Sequence, residues 1–222
     1  MSSGPHRFRD RADAGRQLAR RLAAFATERP VIVALPRGGV VVADEIARAL
    51  DAPLDVLVAR KLGAPSQPEF GVGAIAPGGI RIVDLQAVSF MGMTDEDLER
   101  AIRKEGDEMR RRERLYRDDR PALDVNGRVV ILVDDGIATG VTVRAAVMAL
   151  RVLGARRVIL AVGVCSPQAA AAIEPTVDDL VALIIPKDLF AIGTYYDDFD
   201  QVTDDQVIDL LARSRGPGAI VS

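Results

Sequence analysis

Apolar residues in this chain fall into two alternating patterns, short unbroken runs and stripes at helical spacing. Leu18, Leu22 and Phe25 recur at intervals of four and three, which predicts an amphipathic helix over residues 12–26. The run at 31–35 reads as a strand and 40–50 as a helix; 54–59 reads as the next strand, ending at Arg60-Lys61. A loop over 62–70, broken by Gly63, Pro65 and Pro68, follows. Segments 71–75 and 80–83 flank Ala76-Pro77-Gly78-Gly79 as a hairpin.

Thr94 with Asp95, Glu96 and Asp97 resembles an N-cap with an acidic first turn, opening a helix to about residue 117. Ile102, Met109 and Tyr116 fall seven apart on it, among charged positions. That pattern fits a solvated helix with one buried stripe, or a dimerisation arm or active-site cover. A strand at 129–133 precedes a helix to about 153 built on Val143, Val147 and Leu150. Strand 158–164 leads to Ser166-Pro167, an N-cap with proline at the first helical position. Strand 180–185 follows, and Thr203-Asp204-Asp205-Gln206 is a capping box for a last helix.

Short buried strands alternating with helices predict an α/β fold, a Rossmann-like parallel sheet with helices on both faces. The expected organisation is one domain over 1–222. Its core spans about 28–185, an insertion about 76–120, and a C-terminal hood and helix about 186–214. Ligands of such sheets collect at the carboxyl ends of the strands. Here three candidate loops stand at those ends, after Leu35, after Ala59 and after Val133.

Composition narrows the chemistry. The 222 residues carry a net charge of −3, which gives no general basic footprint for nucleic acid. No apolar run reaches the roughly 20 residues that span a bilayer, and the N-terminus lacks the apolar core of a signal peptide. The one cysteine, Cys165, rules out an internal disulfide and fits a cytoplasmic setting; it reads as a small buried hydrophobe. With one histidine, His6, a His/Cys zinc site or a serine–histidine triad has little to build on.

The densest chemistry lies where the strand 129–133 meets Asp134 and Asp135. Gly136, Ile137, Ala138, Thr139, Gly140, Val141 and Thr142 follow, opening a helix. A helix N-terminus presents unpaired amides and partial positive charge, the small residues let an anion approach, and Thr139 and Thr142 add hydroxyls. A Walker lysine is missing. The two carboxylates suit the vicinal hydroxyls of a sugar and would stabilise positive charge developing on its ring. A Mg²⁺-binding or phosphoacceptor aspartate pair is the other reading of the same residues.

This stretch resembles the 5-phosphoribosyl-1-pyrophosphate (PRPP) motif of type I phosphoribosyltransferases. The resemblance implies that Asp134 and Asp135 hold the ribose hydroxyls and that residues 136–142 hold the 5-phosphate. Pro36-Arg37-Gly38-Gly39 is similar to the family's pyrophosphate loop, with Arg37, Gly38 and Gly39 on the leaving group and a cis bond at Pro36–Arg37. Arg60 and Lys61 match the cationic pair of the orotate and adenine members, and would act beside Asp134 and Asp135 in catalysis. Residues 62–70 fall where the family has its mobile cover, hinged by Gly63 and Gly71, with Glu69 its one carboxylate. Mg²⁺ would arrive on the substrate phosphates, with no direct protein cage.

Phe190-Ala191-Ile192-Gly193 and Asp197 resemble the base-binding hood of 6-oxopurine members, Phe190 stacking on the acceptor ring and Asp197 touching its edge; core packing is the other reading of Phe190. Ala138 stands where those enzymes carry an aspartate, and Val164, Cys165 and Ser166 where they carry a lysine. The resemblance therefore implies transfer of the phosphoribosyl group from PRPP to a nitrogen acceptor, a nucleobase or related heterocycle, with release of pyrophosphate. A cytoplasmic enzyme of nucleotide metabolism follows, with a homodimer as one assembly. The alternative is a PRPP-sensing regulator without turnover. Gly71-Val72-Gly73 lies too far from Gly78-Gly79 for a dinucleotide fingerprint.

Overall fold

The computed structural model describes residues 7–118, 121–122 and 124–214. His6 and the side chain of Glu69 lie outside what is described. In chain order the elements are helix α1 (Arg11–Leu22), strand β1 (Val31–Ala34), α2 (Gly38–Leu50), β2 (Leu54–Val56), β3 (Arg60–Ala64), β4 (Gln67–Ala76) and β5 (Ile80–Val83). Then come α3 (Leu85–Phe90), α4 (Asp95–Arg117), β6 (Val129–Ile137), α5 (Val141–Val152), β7 (Arg157–Cys165), α6 (Pro167–Ile173), β8 (Asp179–Ile184) and α7 (Asp204–Ser214).

Five strands make one parallel sheet in the order β2-β1-β6-β7-β8. Its strands read as unbroken apolar runs because both faces are covered. Val31, Val33, Val130 and Leu132 pack with Val143, Val147 and Leu150 of α5 and Ile173 of α6. The alternate residues Ile32, Ala34, Ile131 and Val133 pack with Leu18 and Leu22 of α1, Ile46 of α2 and Leu211 of α7. The period-two split of each strand thus feeds two helical layers.

Predicted caps hold. Thr94 and Asp97 make a reciprocal capping box on α4, whose Ile102 and Tyr116 are buried. Ser166 accepts from Ala169 N–H at 3.0 Å on α6, and Thr203 and Gln206 exchange bonds before α7.

Several boundaries move. The helix expected over 12–26 ends as an α-helix at Leu22 and tightens into a 3₁₀ turn over Ala23–Glu28. α2 starts at Gly38, two residues earlier than the apolar stripe suggests. β6 runs on to Ile137 because Asp134, Gly136 and Ile137 keep pairing with Val162, Val164 and Cys165 of β7. The acidic pair therefore sits on the end of the strand, not beyond it.

The largest correction concerns residues 57–70. β2 stops at Val56, so Arg60-Lys61 open β3 of a separate antiparallel sheet, β3-β4-β5, instead of ending the second strand. The expected loop 62–70 is a hairpin in which Gly63 faces Gly71 across a register shift. Gly63 is needed for close approach, because a Cβ there would run into the Pro68 carbonyl; one on Gly71 would meet only the flexible Lys61 side chain, 2.8 Å from Cε. Gly63 and Gly71 thus lie in strands β3 and β4, not in an open loop. The excursion from the parallel sheet accordingly runs from Arg60 to Arg117, where an insertion at about 76–120 was expected. It also holds α3, capped by Asp84, which no apolar periodicity announces.

Candidate functional site

The chain leaves β1 toward β2 on one side and returns through β6 on the other, so the connection direction reverses between β1 and β6. A crevice opens at the carboxyl ends of strands where such a reversal occurs. Pro36–Gly39 and Asp134–Thr142 meet there.

The contact is tight. Leu35 N–H donates to the Val133 carbonyl at 2.9 Å. A Cβ on Gly39 would stand 2.8 Å from the Val133 carbonyl oxygen and 3.1 Å from Asp134 Cα, and one on Gly38 would collide with the Asp135 carboxylate. Glycines at 38 and 39 are what let the two loops touch. The peptide bond between Pro36 and Arg37 is cis, as the resemblance implied.

The loop after the acidic pair is fixed from below. Ser166 Oγ donates to the Ala138 carbonyl at 2.6 Å, and Ser166 N–H donates to the Ile137 carbonyl at 2.9 Å. Gly140 caps α5 in the left-handed region (φ 76°) and lies against Ile173 and Ala169, where a side chain would have no room. Ala138 and Thr139 are exposed and Thr142 half-buried. The first amides of α5, which have no partner one turn back, thus open beside two threonine hydroxyls.

Asp134 and Asp135 are both half-buried and differ in their partners. Asp134 Oδ1 accepts the Asp135 N–H at 2.9 Å. Its carboxyl is pushed well above the usual carboxylate range, first by desolvation and then by the neighbouring Asp135 charge. Asp135 instead meets a cation that sequence reasoning missed: Arg11 Nε donates to Asp135 Oδ2 at 2.6 Å. The Asp135 carbonyl accepts the Tyr196 hydroxyl at 2.7 Å.

Above the pair, the N-terminal segment and residues 190–200 form a hood. Phe8 N–H donates to the Tyr195 carbonyl, and Asp197 and Asp198 N–H donate to the carbonyls of Phe8 and Arg9. Phe8, Tyr196 and Phe199 pack in series: the Phe8 and Tyr196 rings are tilted with centroids 5.1 Å apart, and Tyr196 and Phe199 stack at 4.8 Å. Ile192 reaches down onto Gly136, leaving no space for a Cβ there. Phe190 is not core packing: it is 97% exposed. Asp197 faces Arg7 at 3.7 Å.

The candidate pyrophosphate cations are spread out. Arg37 lies 4.0 Å from Asp204, which accepts the Tyr116 hydroxyl at 2.6 Å. Arg60 is held by Glu105 of α4 through Nε at 2.8 Å and a terminal nitrogen at 2.6 Å. With Lys61 and Lys104 they line a cleft of about 540 Å³ between β3 and α4. Arg37 thus stays with the loop at the crevice, whereas Arg60 and Lys61 belong to the second sheet. Among the described residues no cluster of three or more His, Cys, Asp or Glu could hold a metal ion, and no helix is long and apolar enough to cross a membrane.

Sequence reasoning misses Arg11 in the site; Ser166 is legible as the α6 cap and Ile192 as part of the hood motif, and the structure adds their contacts with Ala138 and Gly136 and the bond of Tyr196 to Asp135. The local signal at Arg11 is a cation directly after the N-cap Asp10, at the positive end of a helix.

Comparison with known proteins agrees with this geometry. A sequence model of the phosphoribosyl transferase domain matches residues 9–198. Two Mycobacterium tuberculosis proteins, each with phosphoribosyl transferase in its name, are 43% identical over 207 residues, covering 93% of this chain and 47% of theirs. The chain thus spans about half the length of the curated relatives it matches. The crystal structure of the protein TT1426 from Thermus thermophilus superposes with a TM-score of 0.79 at 45% identity, covering 93% of this chain and 98% of that one. A hypothetical protein from Neisseria gonorrhoeae, solved with bound ppGpp, shares the fold at 16% identity and a TM-score of 0.52, covering 92% of this chain and 93% of its own.

Proposed function

This chain belongs to the phosphoribosyl transferase family, and from that premise we propose that it moves the 5-phosphoribosyl group of PRPP to a nitrogen acceptor. The observation that carries this reading is the contact between Gly38-Gly39 and Asp134-Asp135 at the sheet's reversal point. One crevice then offers carboxylates for ribose hydroxyls, a helix start for the 5-phosphate and a glycine loop for the pyrophosphate.

In this reading Asp134 and Asp135 accept hydrogen bonds from the ribose and oppose the positive charge that develops on its ring. The amides and hydroxyls of residues 136–142 hold the 5-phosphate. Arg37 and the amides of Gly38 and Gly39 receive the pyrophosphate, and Arg60 and Lys61 reach it only if the β3–β4 hairpin closes over the crevice. The acceptor nitrogen forms a bond to the anomeric carbon as the bond to pyrophosphate oxygen breaks. Pyrophosphate leaves with the electron pair, and the acceptor's surplus proton goes to solvent. Mg²⁺ fits this oxygen-rich, acidic crevice as a partner of the substrate phosphates and ribose hydroxyls, whose charge it would offset.

The acceptor is a nucleobase or related heterocycle, with Phe190 and Asp197 at the rim of its subsite. Ala138 supplies no carboxylate there, and Ser166 Oγ already serves the Ala138 carbonyl and the α6 cap. That argues against selection of a 6-oxo group. The same reading makes the protein a cytoplasmic enzyme of nucleotide metabolism. Its homodimer is tested by light scattering. The regulator alternative draws its support from the latch of Arg60 on Glu105, which keeps that cation with α4.

The deciding experiment is pyrophosphate release from PRPP and Mg²⁺ across purines, pyrimidines and other nitrogen heterocycles. Release with at least one acceptor supports transfer. Saturable PRPP binding with no release from any acceptor supports the regulator instead.

A further inference from the structure

We infer that Arg11 is a positioning residue for Asp135, occupying one carboxylate oxygen so that the other is held toward the sugar. This rests on the proposed PRPP reading. The N-terminal helix would then be part of the donor site, not merely a cover of the sheet.

The geometry is specific. The Arg11 Nε–Asp135 Oδ2 bond is 2.6 Å, and the two side chains are only 11% and 15% exposed. A terminal nitrogen of Arg11 donates to the Asp200 carbonyl at 2.7 Å, and the guanidinium lies over the Phe199 ring at 3.8 Å. Those contacts fix the plane of the guanidinium and hence the direction of its Nε–H. Gly38 completes the fit, since a Cβ there would stand 2.8 Å from Arg11 Nε and overlap Asp135 Oδ2. Four segments (α1, the start of α2, the end of β6 and the hood) meet around this ion pair.

Helix stability does not explain the placement. Arg11 is the first residue of α1, after the N-cap Asp10, where a cation opposes the helix dipole. Its value lies across the fold, 124 residues away in sequence. Two adjacent half-buried carboxylates repel, and Arg11 is among the groups that favour ionised Asp134. Oδ2 is held by the guanidinium and Oδ1 is not, so the carboxylate is turned with Oδ1 toward Asp134 and the proposed sugar subsite in this reading.

The test is a side-chain carboxyl ¹³C titration of the ligand-free protein in wild type, Arg11→Met and Arg11→Lys, with PRPP calorimetry and thermal unfolding on the same samples. A positioning role predicts that Arg11→Met moves the Asp134 titration to higher pH. It also predicts at least about tenfold weaker Mg–PRPP binding. Arg11→Lys, which keeps the charge but not the fork, should hold the titration in place and recover part of the affinity. An Arg11→Met protein that is merely less stable, with the Asp134 titration and PRPP affinity unmoved, would overturn the inference. A wild type that binds no PRPP overturns the proposed function instead, and the ligand-free titration then decides Arg11 alone.

Discussion

Tyr196 donates its hydroxyl to the main-chain carbonyl of Asp135 at 2.7 Å, joining the hood to the end of β6 at the candidate sugar site. The ring is buried between Phe8 and Phe199, and a Cβ on Gly163 would collide with its hydroxyl oxygen. Burial and the Asp135 charge push the phenol far above its usual range, so it stays a donor through alkaline pH. Tyr196→Phe removes the donor and leaves a carbonyl short of a partner, for a loss of about 1–3 kcal/mol. Thermal unfolding should show a midpoint lower by about 2–4 °C per kcal/mol for a chain of this size. The difference from wild type should be flat across roughly pH 6–9, because neither the folded nor the unfolded phenol titrates there.

Ser166 ties the phosphate loop to α6 with one hydroxyl, donating to Ala138 and accepting from Ala169. Ser166→Ala loses both, so stability should fall by about 1–2 kcal/mol, the scale of a lost N-cap. Since Ala138 is then untethered, ribose 5-phosphate should bind several-fold more weakly by calorimetry. An unchanged affinity would mean that the loop holds its shape without the tether.

The raised carboxyl of Asp134 has a pH signature. A carboxyl whose folded value is raised binds its proton more tightly when folded than when unfolded. The native state therefore loses stability as pH rises through the window between the two values, and the penalty is complete above the folded value. Asp134→Asn removes that penalty and keeps an oxygen for the Asp135 N–H. The ligand-free variant should melt higher than wild type at neutral pH, with the gain vanishing below the unfolded carboxylate range near pH 4. Its PRPP affinity should fall at the same time, the pattern of a residue kept for binding at the expense of stability.

Much of this was legible in the sequence because the informative contacts are local. The runs 31–35 and 129–133 are unbroken since parallel strands are covered on both faces, and the phosphate loop is a contiguous motif. The hairpin of β3 and β4 was not legible: its Gly63, Pro65, Pro68 and Gly71 carry the composition of a loop, and antiparallel pairing around a register shift leaves no alternation. The tie of Arg11 to Asp135 was hidden for a different reason, because contacts across 124 residues are set by the fold. Phe190 shows the converse. Its aromatic character suggested either stacking or core, and the structure leaves it in the open while Ile192 makes the contact with Gly136.

Gly38 tests the meeting of the two loops. Gly38→Ala places a methyl group against the Asp135 carboxylate and Arg11. Mg–PRPP affinity should fall by roughly tenfold or more, about 1.4 kcal/mol; ribose 5-phosphate, whose hydroxyls would use the same carboxylate, should weaken too, but by less because it lacks the pyrophosphate. Equal losses for both ligands would place Gly38 outside the pyrophosphate subsite.

The central claim is that Asp134, Asp135 and the loop that follows them form a PRPP site. Titration calorimetry of the wild type and of Asp134→Asn/Asp135→Asn with PRPP and Mg²⁺ tests it most directly. The account predicts saturable one-to-one binding by the wild type, and affinity at least about a hundredfold lower in the double variant, close to 2.7 kcal/mol. A wild type that binds no PRPP, or a double variant that binds it equally well, would contradict it.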